Sequence, residues 1–265
     1  MENQDFTKEA IHIVDEAKNA NITLRVLGAT AFRIHSPSNI DVHDALQRRL
    51  TDIDFMSYSK DKNRIEQFFE GSLKYQTVRA AMTVGLFVGR CIFFDESGVR
   101  PHIDVFLDRL DMNHVIDFRG RLEIDYPTIP LAELLLEKVQ IVHINEKDIK
   151  DSILLLLEHD VGEGDRETIN VKRFEKLLAD DWGFYFTTKT NLDKIGNFLK
   201  RYEVLTDQQR KIVASRIDKL LQAIENTPKS LKWKLRAKVG TSRKWYNEVE
   251  EVERAEQLTD LNLGS

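Results

Sequence analysis

The chain has 265 residues, a formal net charge of −5 and a single cysteine, Cys91. This length allows one large domain or two ordinary ones, so neither an intramolecular disulfide nor a structural metal is needed for folding. No apolar stretch is long enough to span a bilayer, the N-terminus lacks a signal-peptide pattern, and the negative charge does not favour general nucleic-acid affinity. We therefore expect a cytoplasmic protein.

The N-terminal elements lead to a short turn of small residues. Apolar spacing predicts an amphipathic helix over 5–19 and a strand over 23–27, followed by Gly28, Ala29 and Thr30 at the start of a second helix. Backbone N–H groups at a helix start can bind an anion, and glycine allows a ligand to approach the backbone closely. A glycine between a strand and a helix is also common for structural reasons, so both interpretations stay open.

Three aspartates lie within two predicted strands. In the strand 50–56, Asp52 and Asp54 point to one side, because side chains alternate along a strand. In the strand 101–108, Asp104 lies at mid-strand among apolar neighbours, where aspartate is uncommon. If these strands are neighbours, the three carboxylates meet, and a divalent cation is the simplest way to relieve their repulsion. The alternative is that the acids are only structural.

The next segments continue the predicted sheet and then become helical. Alternation predicts a strand over 122–126, and a leucine-rich helix follows over 131–142. At 3.6 residues per turn, Lys138 falls in the middle of the apolar face of that helix, while Glu137 is expected to point away. An inward lysine needs a partner or a wet cavity, although its stem could also cover apolar surface while the head reaches water.

A domain boundary is predicted near residue 160, where Gly162 and Gly164 lie in an acidic stretch. We expect residues 1–160 to form a mixed α+β domain and residues 161–265 to form a helical C-terminal domain. The predicted C-terminal helices, separated by breaks at 182–183, 187–190 and 228, span 170–180, 191–201, 206–225 and 243–258.

Basic residues are concentrated at two places. The stretch 229–244 carries seven basic residues and no acid, with Trp233 in it and Trp245 directly after it. Such a pattern can bind RNA through phosphate contacts and stacking, but a solvated helix face is the favoured interpretation. Arg48 and Arg49 are likewise expected to form the solvated end of a helix, with phosphate contact as the alternative.

These motifs together resemble those of the polymerase-beta-like nucleotidyltransferase superfamily. The turn Gly28–Thr30 after a strand, the pair Asp52 and Asp54 on the next strand, and Asp104 on a later strand correspond to its signature. The resemblance implies a nucleotidyltransferase-type mixed sheet flanked by helices.

A bacterial branch of that superfamily, which includes abortive-infection toxin nucleotidyltransferases, is similar in a further respect. Its third acidic strand is followed by a leucine-rich helix containing a lysine, here Lys138, and by a basic-Asp-x-x-Asp helix start, here 147–151. The resemblance covers roughly residues 20 to 158.

The resemblance implies roles for these residues. Asp52 and Asp54 would hold Mg²⁺ (or Mn²⁺) on the phosphates of a nucleoside triphosphate such as ATP, and Asp104 would join them at a second metal. The turn Gly28–Thr30 would carry the triphosphate, and Lys138 would neutralise phosphate charge.

The implied activity is transfer of a nucleoside monophosphate to an acceptor, which could be a protein, RNA or a small molecule. A toxin-type enzyme with an antitoxin partner is one setting for it. The family usually has Gly-Gly or Gly-Ser where this chain has Gly28-Ala29. The alternative is a non-catalytic nucleotide-binding or interaction protein of the same fold.

Overall fold

The computed structural model describes residues 3–78 and 89–249, which form an α+β fold as predicted. The strands are β1 (Leu24–Leu27), β2 (Asp52–Ser57), β3 (Gln76–Thr77), β4 (Arg90–Phe94), β5 (His102–Leu107), β6 (Arg109–Asp111), β7 (Val115–Asp117), β8 (Asp160–Gly162) and β9 (Thr168–Asn170). The helices are α1 (Asn3–Asn19), α2 (Gly28–Ile34), α3 (Ile40–Ala45), α4 (Lys62–Gln67), α5 (Leu131–Val139), α6 (Glu146–Glu158), α7 (Val171–Leu178), α8 (Trp182–Phe198), α9 (Asp207–Asn226) and α10 (Leu231–Val239).

The main sheet is mixed, with strand order β1-β2-β5-β4-β3. The neighbours β2 and β5 are parallel, while the other neighbouring pairs are antiparallel. One face of this central pair is fully buried through Ile53, Phe55, Ile103 and Val105. The opposite face is therefore left for the polar residues that alternate with them.

Helices α5 and α6 pack against each other, against α2 and against the C-terminal helices. Almost every residue of α5 is buried, including two acids, because α2, α6, α7 and α8 cover it on different sides. Helix α6 begins with a capping box, in which the Asn145 side chain accepts the N–H of Asp148 and the Asp148 carboxylate accepts the N–H of Asn145. These contacts fix the start of α6 beside the end of α5.

The C-terminal part is helical, as predicted, and it shares one continuous hydrophobic core with the sheet, from Phe6 to Ile224. The small parallel pair β8–β9 lies at the predicted boundary near residue 160. The division into two domains stays a prediction. Within the described residues, none of the helices combines the length and apolarity needed to cross a membrane.

Three sequence predictions about elements are wrong. Residues 122–126 form consecutive turns instead of a strand, because Leu122 alone is buried among them and its neighbours have no adjacent strand. Residues 187–190 lie inside α8, because the hydroxyl of the buried Thr187 bonds to other side chains of the fold and does not mark a loop. Residues 243–249 do not form a helix. The rest of the predicted helix 243–258, and residues 79–88 between β3 and β4, lie outside the described residues.

Candidate active site

Two of the predicted aspartates are direct neighbours across the central strands. In the parallel register of β2 and β5, Asp54 lies opposite Asp104, and Asp52 lies opposite His102. Asp104 is fully buried, whereas Asp52 and Asp54 are half-buried. The structure thus brings the acids to one face of adjacent strands, as the sequence predicts.

Nitrogen atoms of Arg90 and His102 lie near the carboxylate of Asp104. Nη2 of Arg90 lies 3.8 Å from Oδ2 of Asp104, and Nε2 of His102 lies 3.8 Å from its Oδ1. Burial by itself lowers the pKa of Arg48, but the hydrogen bond and charge of Asp151, and to a smaller extent the charges of Asp148 and Asp52, raise it. Arginine therefore balances part of the acidic charge on this face.

Gly28 makes the closest approach to the acidic strand. Its φ of +67° is favourable only for glycine, and a Cβ at this position would lie 2.5 Å from Oδ2 of Asp54. The Thr30 hydroxyl donates to the carbonyl of Asp52 at 3.3 Å, and Ala29 between them is partly buried against the core. The turn predicted to carry phosphates therefore lies against the strand that carries Asp52 and Asp54.

Glu137, which the periodicity places away from the apolar face of α5, is nevertheless buried next to Gly28. Its carboxylate is 5% exposed and its Oε2 accepts the N–H of Gly28 at 3.2 Å. The reason is that four helices pack against α5, so Glu137 meets Gly28 at the start of α2 and not open solvent. Sequence periodicity around one apolar stripe could not find this residue, because periodicity assumes that a helix has a solvent side.

Lys138 points inward, as the sequence predicts, and its ammonium group lies among carboxylates. Nζ is 3.6 Å from Oε1 of Glu137, 3.5 Å from Oδ1 of Asp148 and 3.4 Å from Oδ2 of Asp151. Its side chain is only 12% exposed. Its role toward phosphate stays a prediction. In the described structure its positive charge neutralises these carboxylates.

Burial and neighbouring charges shift the pKa values of both Glu137 and Lys138. Burial raises the pKa of Glu137 to about 7, although Lys138 and the Gly28 N–H oppose the shift. Burial alone would lower the pKa of Lys138, but Asp151, Glu137 and Asp148 together raise it above its ordinary value. Lys138 is thus firmly cationic, while Glu137 titrates near neutral pH.

Arg48 extends this charge network toward the acidic strand. Its guanidinium binds the fully buried Asp151 through Nε at 2.7 Å and Nη2 at 3.0 Å. The prediction of a solvated helix end is therefore wrong for Arg48, although Arg49 is exposed as expected. The network runs from Arg48 through Asp151 to Lys138, and the second aspartate of the 147–151 motif is its centre.

A cleft of about 630 Å³ opens beside these residues. Gly28, Asp54, Glu137, Lys138 and Asp148 contribute to its wall. Its volume falls within the range of roughly 300–1,000 Å³ that is usual for small-molecule sites. Neither Asp52 nor Asp104 lines this cleft directly.

The donor chemistry suits a hard divalent cation, because carboxylate oxygens on one face are what Mg²⁺ and Mn²⁺ prefer. Within residues 3–78 and 89–249, however, no group of three or more His, Cys, Asp or Glu side chains is gathered closely enough to hold an ion. Mg²⁺ is usually held by one or two carboxylates together with substrate phosphates. The residues therefore fit a metal that is completed by ligands from a nucleotide.

Two residues of the basic stretch 229–244, Lys229 and Arg236, bind backbone carbonyls in their own part of the fold. Nζ of Lys229 donates to the carbonyl of Thr227 at 2.7 Å and to that of Ile224, near the end of α9. The guanidinium of Arg236 donates to carbonyl oxygens of residues 240, 243 and 244 and faces the ring of Trp182. The favoured interpretation of a solvated helix face describes α10, which has no buried residue.

Comparisons with known proteins give little further information. No protein-family model and no curated protein matches the chain. A crystal structure of an antigenic nucleotidyltransferase-like protein from Paracoccidioides brasiliensis matches 87% of this chain and 96% of its own, with 12% identity and a TM-score of 0.39. At that level of similarity the match carries no argument about the site.

Proposed function

We propose that the chain is a metal-dependent nucleotidyltransferase, which moves a nucleoside monophosphate from a nucleoside triphosphate to an acceptor. The observation that supports this most is the pairing of Asp54 with Asp104 on adjacent parallel strands, directly against the side-chain-free Gly28. The adjoining cleft, which Lys138 also lines, has the size of a nucleotide-type ligand site.

In this proposal Asp52, Asp54 and Asp104 hold Mg²⁺ or Mn²⁺ together with the nucleotide. The ion supplies neutralisation of phosphate charge and a template for in-line attack. The protein has little covalent chemistry to perform, so positioning and charge carry most of the rate.

The residues around the ion have separate tasks. Gly28 leaves room for phosphate oxygens next to Asp54, and Lys138 adds positive charge at the wall of the cleft. The acceptor hydroxyl oxygen forms a bond to the α-phosphorus while the bond to the β-phosphate oxygen breaks, so pyrophosphate leaves. Asp104 takes the proton of the hydroxyl as the bond forms.

A thermal-shift experiment tests this proposal. Each nucleoside triphosphate is added with and without Mg²⁺ to the wild type, to Asp54→Asn and to the control Asp218→Asn, whose carboxylate lies on the exposed side of α9. At a hundredfold excess over Kd, ligand binding adds about 2.7 kcal/mol to stability. For a chain of this size that corresponds to a Tm rise of roughly 5–10 °C.

We expect the rise only with Mg²⁺ and nucleotide together, in the wild type and in Asp218→Asn, and not in Asp54→Asn. A chain whose Tm responds to no nucleotide is not a nucleotidyltransferase. An equal rise in Asp54→Asn would remove that residue from the site.

Turnover separates the two remaining interpretations. The chain is a non-catalytic nucleotide-binding protein if it binds nucleotide but releases no pyrophosphate in the presence of protein, RNA or small-molecule hydroxyl acceptors. Ala29 in the turn supports that second candidate. The resemblance supports a toxin setting with an antitoxin partner. Its test is bacterial growth, which the wild type but not Asp54→Asn should arrest.

A further inference from the structure

The last described segment, residues 245–249, lines the cleft through Val249 and binds Asn113, which also lines it; we name this segment the C-terminal strap. The N–H of Asn247 donates to the carbonyl of Asn113 at 3.0 Å, and Nδ2 of Asn113 donates back to the carbonyl of Asn247 at 2.8 Å. Asn113 lies in the turn between β6 and β7. Two residues further on, Val249 lines the cleft.

Trp245 anchors the strap at its other end. Its indole N–H donates to Oγ1 of Thr187 in α8 at 3.1 Å, and its ring makes an edge contact with Phe186 at 5.2 Å between centroids. Its carbonyl oxygen lies so close to Gly183 that a Cβ there would be 2.4 Å away. The strap is therefore seated on α8 at a position that only glycine permits.

The cleft has two chemically different ends. One is charged and consists of Asp54, Glu137, Lys138 and Asp148 around Gly28. The other is formed by the apolar side chains of Leu110, Met112, Ile141 and Val249, together with the polar side chains of Asn113 and His143. Oδ1 of Asn113 accepts the N–H of Val142 at 2.9 Å, so the β6–β7 turn, the α5–α6 connection and the strap are joined at this end.

We infer that the C-terminal strap forms the outer wall of a nucleobase site at this apolar end. The inference rests on the proposed function, which puts the phosphates at the charged end. A nucleoside triphosphate has a charged end and a flat, weakly polar end, and the two ends of the cleft match them in order. Apolar walls with a few polar groups are the usual lining of a site for such a ring.

The alternative is that the strap is a plug, which occupies the cleft and hinders binding. The two arrangements predict opposite effects of displacing the strap. If the strap is a wall, displacing it lowers the affinity for nucleotide and leaves the affinity for a bare phosphate chain unchanged. If the strap is a plug, displacing it raises the affinity for both ligands.

The variant Gly183→Ala displaces the strap, because its Cβ cannot coexist with the carbonyl oxygen of Trp245. Gly196→Ala is the matched control in the same helix, since its Cβ would meet only Cδ1 of Ile217 at 3.9 Å. Hydrogen exchange at the amide of Asn247 reports whether the strap has been released. Val249→Asn is a second variant that leaves the anchor intact and removes apolar surface at an exposed position.

Calorimetry with Mg²⁺ then measures Kd for nucleoside triphosphates and for inorganic tripolyphosphate. We expect Gly183→Ala to weaken nucleotide binding about tenfold, which corresponds to ~1.4 kcal/mol, and to leave tripolyphosphate binding at the value of Gly196→Ala. Val249→Asn should weaken nucleotide binding about fivefold.

The inference is overturned if the strap is released and nucleotide affinity stays unchanged, or if both ligands bind more tightly. It is also overturned if tripolyphosphate binds the wild type as tightly as any nucleotide does. If the wild type binds neither ligand, the proposed function fails first and the inference fails with it.

Discussion

Replacing Glu137 by Gln is expected to change how the stability of the protein depends on pH. The glutamine amide keeps a carbonyl oxygen where Oε2 accepts the N–H of Gly28 at 3.2 Å, and it cannot ionise. Burial raises the pKa of the native carboxyl to about 7 from an ordinary value of 4.5. Between these two pH values the folded protein keeps a proton that the unfolded chain has already released.

The sign and size of the effect follow from this difference. Because the folded state binds more protons at this group in this window, the contribution of Glu137 to the free energy of unfolding falls as the pH rises from 4.5 to about 7, and it levels off above. At about 1.4 kcal/mol for each pKa unit, the wild type loses at most about 3.5 kcal/mol through this group. Glu137→Gln lacks this loss, so relative to the wild type it gains stability with rising pH.

Urea unfolding followed by circular dichroism between pH 5 and 8.5 measures the difference between the two proteins. The histidines that titrate in the same range contribute equally to both and cancel. Glu146→Gln, on a side chain that is 61% exposed, is the matched control and should run parallel to the wild type. If the curves of Glu137→Gln and the wild type are also parallel, the carboxyl ionises normally and the proposed burial of its charge is wrong.

Three further predictions concern the same structure. Lys138→Met should lower the free energy of unfolding by about 3–5 kcal/mol in urea, because it leaves buried carboxylates without their shared cation; a loss below 1 kcal/mol would contradict that network. Lowering the pH from 6.5 to 4 should destabilise the protein, because burial lowers the pKa of His35 and His114 to about 4 and only the unfolded chain takes up those protons. His114→Gln should reduce the dependence of the free energy of unfolding on pH in this range. Arg236→Ala should lower Tm because its guanidinium holds three carbonyls, whereas Ala at the exposed Lys234 should not; equal melting temperatures would show that these bonds contribute nothing.

The sequence was sufficient to find the paired acids and the glycine beside them. Period-two alternation fixes the face on which Asp52, Asp54 and Asp104 lie, and the hydrophobic run on the other face fixes which side is buried. That β2 and β5 are parallel neighbours could not be read from alternation, and it remained a condition of the sequence-based prediction. The helices of the C-terminal part were found as a class, and one break was misplaced because Thr187 was taken for a loop residue.

Other parts of the site depend on tertiary contacts that leave no periodic signal. Glu137 is buried because α2 packs against its helix and the N–H of Gly28 binds its carboxylate, and Arg48 binds Asp151 about a hundred residues away in the chain. The C-terminal strap has no regular secondary structure, so its place at the cleft follows only from the hydrogen bonds of Asn247 and the space left by Gly183. Local patterns predict elements, and these contacts are between elements.

The charge balance of the cleft bears on the order in which ligands enter the proposed site. Asp54 and Glu137 both touch the turn at Gly28, one in van der Waals contact and one through a hydrogen bond, and Lys138 is already shared by carboxylates. A bare triphosphate would add negative charge to this acidic wall, while a bare cation finds no cluster of three ligands among the described residues. Each ligand supplies what the other lacks, so nucleotide and metal should bind with strong positive coupling. That coupling is reciprocal, since the factor by which Mg²⁺ raises nucleotide affinity equals the factor by which nucleotide raises Mg²⁺ affinity.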